Sequence, residues 1–329
     1  MTIDGLTNWG VIAPGKIAEK FSKALQGTNN ANCYAVASRN PSKAARFANE
    51  HGFNRVHDSY QELASDPLVD VIYIASPHNL HATQTIMCLN AGKPVICEKP
   101  LSVNLKEAQS VITAASQNNV FYMEAVWTRF LPVYNDIRRW IDEGKIGEVQ
   151  MIDASFGFAM GYDSNHRINN PKLAGGSLLD LGIYPITFAD WIMDAHPNSI
   201  SSVAKIGPTG VDDKNAIQLS YSNGVIATLK SSSTTILTNQ AWILGDKGRI
   251  EVPDFWSAES AILTESNGQK TIASHTHDIN GYEGEIGEVQ RCLDLDLLES
   301  PIMSHTHSLR VIGIMDEVRR QIGLSYPFE

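Results

Sequence analysis

Residues 9–123 alternate between short apolar runs and stretches with helical spacing, and this alternation constrains the fold more than any other feature of the chain. The second helical stretch is bracketed in the expected order, with Pro41 at its start and Gly52 beyond its end. Such alternation predicts a doubly wound parallel sheet with helices on both faces, and therefore an α/β fold. The predicted strands lie at 9–13, 33–37, 69–75, 95–97 and 120–123, and the predicted helices at 16–25, 42–51, 59–64, 82–90 and 105–117.

The pattern changes after Glu124. A helical stretch at 131–143 is followed by segments in which apolar and polar residues alternate, and two helical stretches, near 282–298 and 304–322, close the chain. Two-fold alternation with glycine turns is typical of an antiparallel sheet with one exposed face. We therefore predict a first domain over 1–126 and a second, α+β domain over 127–329 with a large, open, mostly antiparallel sheet. The alternating segments are 148–158, 216–221, 225–231, 240–244 and 249–252.

Composition and charge exclude several classes of protein. The 329 residues suffice for two domains, and the formal charge of −10 argues against a nucleic acid or an anionic membrane as partner. Four scattered cysteines form no C-x-x-C pair, which favours reduced thiols. The sequence shows neither a signal peptide nor eighteen consecutive apolar residues, so we expect a cytoplasmic protein without a membrane span.

The junction of the first strand and first helix is where a dinucleotide fingerprint, G-x-G-x-x-G/A, belongs. Ala13 takes the first glycine position, and Gly15 and Ala18 fit the other two. Pro14 removes one amide donor, so a plain strand–helix turn is the alternative interpretation. The fingerprint predicts cofactor contacts from Ile12, Ala13, Pro14, Gly15, Lys16 and Ile17.

The end of the second predicted strand bears on which cofactor binds. NAD enzymes place an acid there for the ribose hydroxyls, whereas this chain has Ser38-Arg39-Asn40, with Lys43 one helical turn later. An arginine can form a bidentate contact with a 2′-phosphate, so we predict NADP, with NAD possible and with Ser38, Arg39 and Lys43 as cofactor contacts. A solvated surface arginine is the alternative.

Glu98-Lys99-Pro100 follows a short apolar run at the end of a predicted strand. Ligands of doubly wound sheets bind outside the carboxyl ends of the strands, so this position places an ammonium where cofactor and substrate meet. The end of the preceding strand carries Ser76-Pro77-His78-Asn79-Leu80-His81. Cofactor contacts are predicted for Ser76, Pro77, Asn79, His81, Glu98 and Lys99. A helix-cap or surface position is the alternative for either histidine of this segment.

Together with a glycine-rich segment, Gly175–Tyr184, these motifs make the chain resemble the Gfo/Idh/MocA oxidoreductase family. The segment 123–130 and the C-terminal residues 315–329 resemble its dihydrodiol dehydrogenase and NADP-dependent xylose dehydrogenase branch. The resemblance implies an N-terminal Rossmann domain, a C-terminal domain with an open sheet, and homodimers formed through that sheet.

Asp180 and Tyr184 are four residues apart and share one face of a helix, at whose start Gly175 and Gly176 leave room for a ligand. A phenol is a poor base at neutral pH, because its usual pKa is about 10. An ammonium about 4 Å away, at an effective dielectric constant near 20, favours the phenolate by up to roughly 4 kcal/mol. We therefore predict Tyr184 as general base, Lys99 as the group that lowers its pKa, and Asp180 as the partner of Lys99 or a substrate hydroxyl. A half-buried surface pair is the alternative.

Further contacts are predicted around these residues. Trp127 and Arg129 are candidates for the nicotinamide pocket, although a tryptophan there is also compatible with simple packing. Arg167 precedes the glycine-rich segment by eight residues and is a candidate ligand contact. The resemblance suggests an aromatic substrate wall formed by Phe156, Phe158, Trp256 and Tyr282, and packing of each ring in the core is the alternative.

No metal site is predicted. His275-x-His277 and His305-x-His307 each bring two imidazoles together, but neither set contains the third or fourth ligand that zinc requires. We interpret both pairs as surface residues.

The leading hypothesis is an NADP-dependent dehydrogenase acting on a secondary alcohol of a sugar or of a cyclic trans-diol, with a small molecule as its substrate. One alternative is the same fold acting as a reductase on an anhydro-sugar or a dicarbonyl. Two others are a non-catalytic NADP(H) sensor and redox-neutral chemistry with tightly held NAD. Arg39 and Lys43 speak mildly against the last.

Overall fold

The computed structural model describes residues 5–164 and 166–329; residues 1–4 and 165, which fall within the two predicted domains, lie outside the described residues. The chain divides into two compact units. The first comprises residues up to Phe130 together with His277–Ser308, and the second comprises Leu131–Thr276 and Leu309–Glu329. The predicted boundary after residue 126 places the segment 277–308 in the second domain. In the structure this segment packs with the first unit.

The first unit is built on a six-stranded parallel sheet with strand order β3-β2-β1-β4-β5-β6. This order confirms the predicted doubly wound sheet. The strands are β1 (Thr7–Ile12), β2 (Ala31–Ala37), β3 (Arg55–His57), β4 (Val71–Ile74), β5 (Val95–Glu98) and β6 (Tyr122–Ala125). The helices between them are α1 (Lys16–Gly27), α2 (Pro41–His51), α3 (Tyr60–Ser65), α4 (His81–Asn90) and α5 (Leu105–Asn118).

Local sequence signals account for the ends of these helices. The side chain of Asn40 accepts a hydrogen bond from the Lys43 N–H and caps α2, while Gly52 ends the helix at a φ of +70°. Asn104 caps α5 in the same way through the Glu107 N–H. Every residue of β4 is buried, as expected for a central strand covered on both faces.

The second unit is built on an eight-stranded sheet with order β14-β13-β12-β11-β7-β10-β9-β8. Its neighbouring strands are antiparallel except for β7 and β10, which confirms the predicted mostly antiparallel sheet. Helices α6 (Val133–Asp142) and α7 (Ile183–Met193) lie wholly within this unit. The strands are β7 (Val149–Gly157), β8 (Ser199–Ile206), β9 (Asp212–Ser220), β10 (Ile226–Ser232), β11 (Ala241–Gly245), β12 (Gly248–Val252), β13 (Ser260–Glu265) and β14 (Lys270–Ser274).

Two helices close the chain, as predicted. Helix α8 (Glu283–Asp294) belongs to the first unit, and α9 (His305–Ile322) contributes residues to both. Within residues 5–164 and 166–329, no helix combines the length and the apolar character needed to cross a membrane.

Candidate active site

The turn between β1 and α1 keeps its backbone open toward a ligand. Ala13 has a φ of +62°, so an alanine here adopts the left-handed conformation that the first glycine of the fingerprint would supply. Among the described residues other than its two chain neighbours, a Cβ built on Gly15 would have only the Ala13 carbonyl oxygen within 4 Å, at 3.9 Å. An open backbone at the start of a helix fits a pyrophosphate. Of the other predicted contacts here, Ile12 and Pro14 are buried, Ile17 is half-buried and Lys16 is exposed.

The end of β2 presents two cations. Arg39 and Lys43 are exposed, and neither side chain forms a hydrogen bond or ion pair within the described part of the chain. Ser38 is buried, and its Oγ accepts a hydrogen bond from the Asn40 N–H at 3.2 Å. Both cations are therefore available to an anionic group beside the start of α2.

His81 joins the segments that follow β4 and β5. It is fully buried, with Nε2 at 2.8 Å from the Ser76 carbonyl oxygen and Nδ1 at 2.7 Å from that of Pro100. Pro77, in the segment that follows β4, is half-buried. Direct contact of His81 with a cofactor stays a prediction.

Two buried polar atoms near the end of β4, Ser76 Oγ and Asn79 Oδ1, have no hydrogen-bond partner among residues 5–164 and 166–329. Buried polar atoms in folded proteins are normally satisfied. These atoms, the open turn at Ala13 and the free cations after β2 together fit a phosphorylated dinucleotide.

Glu98 is buried at the end of β5, where it accepts a hydrogen bond of 2.6 Å from the hydroxyl of Tyr73. Burial, and next the Glu98 charge, raise the pKa of Tyr73 well above its usual value, so Tyr73 stays protonated as the donor. Lys99 follows directly, and the Lys99-Pro100 peptide bond is cis.

Two buried carboxyl groups near the Glu98-Lys99-Pro100 motif were not predicted from the sequence. Glu124, in β6, accepts hydrogen bonds from the Leu101 N–H at 2.7 Å and the Ser308 hydroxyl at 2.6 Å. Burial raises its pKa to about 7, although both hydrogen bonds and the Lys99 ammonium oppose the shift. Glu285, in α8, is fully buried, and its pKa is raised well above normal by burial and the nearby Glu98 charge.

Trp127 and Arg129 lie in a short 3-10 helix after β6, and both are buried. The ring of Trp127 stacks on that of Tyr282 at 4.9 Å between centroids, and Arg129 donates a hydrogen bond to the Ile302 carbonyl. Tyr282 thus stacks within the first unit. Cofactor contacts by Trp127 and Arg129 stay predictions.

In the second unit, Asp180 lies in a single π-helical turn, Leu178–Gly182, which continues into α7. Its buried carboxylate accepts two hydrogen bonds from the Arg167 guanidinium, each 3.0 Å long. Each residue was predicted separately, but their pairing was not. The pairing gives Arg167, whose side chain is 49% exposed, a fixed orientation.

The prediction that Gly175 and Gly176 leave room for a ligand is wrong. A Cβ on Gly175 would lie 2.6 Å from the carbonyl oxygens of Arg167 and Ile168, and one on Gly176 would lie 2.4 Å from Asp212 Oδ1. Protein atoms already fill both spaces. The glycines are required because backbone and a buried carboxyl group approach closely.

Tyr184 lies near the start of α7 and is 8% exposed. The ring of Phe156 is 5.1 Å from that of Tyr184 and 5.2 Å from that of Trp256. Phe158 packs edge-on against Phe156 at 5.1 Å. Three members of the predicted aromatic wall therefore cluster beside Tyr184, while the fourth, Tyr282, stacks on Trp127.

The two histidine pairs make other contacts. His275 pairs with Asp136 at 2.6 Å, and Nε2 of His305 lies 3.1 Å from the Tyr122 carbonyl oxygen. Among residues 5–164 and 166–329, no group of three or more histidine, cysteine, aspartate or glutamate residues is arranged to hold a metal ion.

Two family models cover most of the chain. Residues 7–126 match the oxidoreductase family with an NAD-binding Rossmann fold, and residues 134–251 match the GFO/IDH/MocA C-terminal domain. A trans-1,2-dihydrobenzene-1,2-diol dehydrogenase of Xenopus tropicalis is 38% identical, over 98% of this chain and 99% of the relative.

Solved structures share the fold. A 3-ketoreductase from Actinomadura kijaniata, in complex with NADP and TDP-benzene, has a TM-score of 0.86 and 24% identity, and the match covers 96% of this chain and 98% of the other. A levoglucosan dehydrogenase in complex with NADH and levoglucosan has a TM-score of 0.86 and 21% identity, over 96% and 97%. This chain therefore belongs to the Gfo/Idh/MocA family of oxidoreductases, and the predicted enzyme class, an NAD(P)-dependent dehydrogenase, is confirmed.

Proposed function

We propose that the protein is an NADP-dependent dehydrogenase that transfers a hydride between the nicotinamide and a secondary alcohol or carbonyl carbon of a cyclic trans-diol or a sugar. Tyr184 is the general acid–base, and Lys99 assists it. The observation that carries the proposal is the position of Tyr184. Helix α7 holds it against Phe156 of an aromatic cluster. It follows Asp180, the partner of Arg167, by four residues.

In the oxidative direction, Tyr184 takes the proton of the substrate hydroxyl as the C–O bond becomes a carbonyl. The nicotinamide, when bound, supplies the acceptor for the hydride that leaves the same carbon. The Lys99 ammonium favours the phenolate of Tyr184 and orients the hydroxyl. Asp180 holds Arg167 toward a second hydroxyl of the substrate.

A cyclic trans-diol is the preferred substrate class. The ring of Phe156 packs against both Tyr184 and Trp256, and the half-buried ring of Trp256 offers an apolar surface for a flat or weakly polar ring. The relatives named trans-1,2-dihydrobenzene-1,2-diol dehydrogenase match almost the whole chain. Reduction of a ketone or dicarbonyl is the second candidate, since a 3-ketoreductase shares the fold.

NADP is the preferred cofactor because Arg39 and Lys43 are exposed and no acid follows β2. A second copy of the chain is the preferred partner, and the exposed face of the eight-stranded sheet is the proposed contact surface. Met151 and Ile226 are register neighbours on this sheet, and each is more than 40% exposed. We retain the cytoplasm as the proposed location.

The test replaces Tyr184 with phenylalanine and follows NADPH formation at 340 nm with cyclic trans-diols, aldopentoses and aldohexoses. Removing a general base should lower kcat by about 10²- to 10⁴-fold while the Kd for NADP⁺ stays unchanged. Tyr221→Phe is the matched control, because Tyr221 is a buried tyrosine of the same unit whose hydroxyl has no hydrogen-bond partner in the described chain.

An unchanged rate in Tyr184→Phe would contradict the assigned role. A parent protein that binds NADP⁺ but oxidises none of these compounds would instead favour the reductase or the sensor. Running NADPH with dicarbonyls and anhydro-sugar ketones separates these two, because only the reductase consumes NADPH.

A further inference from the structure

The last residues of the chain reach the glycine-rich segment. The hydroxyl of Tyr326 donates a hydrogen bond of 2.7 Å to the Gly175 carbonyl, and Tyr326 is buried. Its ring lies under the Arg319 guanidinium at 4.8 Å, and its N–H donates to the Glu329 carboxylate at 2.9 Å. Arg319 also forms an ion pair with Glu329. The ring and backbone of Tyr326 are thus held independently of its hydroxyl.

Asp212, the first residue of β9, holds the same segment from another side. Its Oδ2 accepts hydrogen bonds from the Leu178 N–H and from the side chain of Asn215, both at 2.9 Å. Its Oδ1 fills the space where Gly176 has no Cβ. Asp212 is fully buried, so this carboxyl group is enclosed by the backbone that it contacts.

The segment held in this way supports the residues assigned to substrate. The Gly175 N–H donates to the Asn170 carbonyl at 3.0 Å, and the Gly176 N–H donates to the Ile168 carbonyl at 2.7 Å, so the segment is tied to the turn that carries Arg167. Beyond Leu178 the chain enters the π-helical turn with Asp180 and then α7. A displacement at Gly175–Leu178 would therefore reach Arg167, Asp180 and Tyr184 together.

We propose that Tyr326 and Asp212 are positioning residues for the reaction: their hydrogen bonds fix the Gly175–Leu178 backbone and thereby align Arg167, Asp180 and Tyr184. This inference rests on the proposed function, which assigns acid–base chemistry to Tyr184. Neither residue is one of the groups assigned to the substrate. Their effect passes through backbone geometry, and misplacement of a reacting group by about 1 Å can cost up to about 100-fold in rate.

Tyr326→Phe is the first test because it removes one hydroxyl and leaves the ring under Arg319. We expect kcat to fall about 3- to 30-fold, with the KM for the diol and the Kd for NADP⁺ within about twofold of the parent values. Tyr221→Phe removes a buried hydroxyl that has no hydrogen-bond partner in the described residues, and it should leave kcat unchanged. If Tyr326 had only a structural role, Tyr326→Phe would show the same kinetics as Tyr221→Phe.

Asp212→Asn and Asp212→Ala form the second test. Asparagine keeps an oxygen that accepts from the Leu178 N–H, so it should retain most of kcat, while alanine loses at least about tenfold. A kcat that is retained in Asp212→Asn but lost in Asp212→Ala would show that Asp212 acts by positioning the backbone. If the alanine variant does not fold, Tyr326→Phe still decides the proposal.

Two results would overturn the inference: a parental kcat in Tyr326→Phe, or a loss in kcat matched by an equal weakening of NADP⁺ binding. The first is distinguishable from failure of the proposed function, since Tyr184→Phe would then still be inactive. If Tyr184→Phe keeps the parental rate, the proposed function fails by itself, whatever Tyr326→Phe does.

Discussion

At the scale of single residues, Glu124 combines complete burial with a pKa of about 7. In the unfolded chain the same carboxyl titrates near 4.5. Below that pH it is protonated in both states and costs nothing. As pH rises from about 4.5 to 7, the unfolded state loses the proton first, so this group lowers the stability of the folded protein progressively.

Glu124→Gln should therefore become more stable relative to the parent as pH rises. Between pH 5 and pH 8 we expect the difference in unfolding free energy to move in favour of the variant by about 2 kcal/mol. Glutamine can still accept from the Leu101 N–H, and its amide can donate to the Ser308 hydroxyl. Urea unfolding at both pH values measures the difference.

Glu143→Gln, at an exposed glutamate, is the control for this titration and should follow the parent at both pH values. Parallel pH dependence in Glu124→Gln and the parent would contradict the assignment of the shift to Glu124.

Single residues also show which parts of a site can be predicted from a sequence. Lys99 and Tyr184 are identifiable because their side chains carry the chemistry and lie within recognisable motifs. Glu124, Asp212 and Tyr326 are not, because their importance arises from contacts with residues 23 to 184 positions away in the chain. Gly175 and Gly176 were identified but misinterpreted. In a sequence, a glycine that makes room for a ligand cannot be told from one that makes room for backbone or a buried carboxylate.

At the scale of elements, helix α2 offers a test of cofactor choice. Arg39 and Lys43 flank its capped N-terminus, and neither forms an ion pair in the described chain. A guanidinium can contact a 2′-phosphate with two hydrogen bonds. Arg39→Ser should weaken NADP⁺ binding about 10- to 100-fold while NAD⁺ binding is unchanged, measured as Kd for each cofactor.

Arg46→Ser is the matched control for this helix. Arg46 is also exposed on α2, but it lies near Glu50, 3.9 Å away, rather than at the N-terminus. Both variants remove one positive charge, so an equal loss of NADP⁺ affinity would show a general charge effect and contradict the specific role of Arg39.

Three of the four strands that were not predicted share a physical reason; the fourth, β13, lies inside the second sheet. Strand β3 has three residues with two of them exposed, and β8 and β14 are edge strands. Edge strands bury less apolar surface than central ones, so their two-residue periodicity is weak. In contrast, capped helices such as α2 and α5 are marked by local signals: Asn40 and Asn104 accept from the backbone N–H three residues later.

At the scale of the whole chain, the return of residues 277–308 to the first unit was not predictable. Helix α8 buries Glu285 and Val289 through contacts distant in sequence, and nothing in its own periodicity indicates which unit it joins. Alternation of strands and helices specifies neighbours along the chain. The assignment of a terminal helix depends on long-range contacts.

The eight-stranded sheet carries the last prediction, which concerns assembly. On its exposed face Met151 and Ile226 are adjacent, at 41% and 43% exposure, and Ile272, on β14, is 66% exposed. Exposed apolar side chains grouped on one face are typical of a contact surface, and covering by a second copy removes their apolar area from water. Ile226→Lys would place a charge in such an interface, where burial is strongly unfavourable.

We therefore expect the parent to have twice the mass of one chain in size-exclusion chromatography with light scattering, and Ile226→Lys to shift toward the mass of a single chain. Leu68→Lys is the control, because Leu68 is 43% exposed and belongs to the first unit rather than to the unit that contains this sheet. A parent that runs as one chain at every concentration would reject the sheet as a pairing surface. A dimer that survives Ile226→Lys but not Leu68→Lys would place the contact on the first unit instead, since the lysine that disrupts pairing reports which surface is buried.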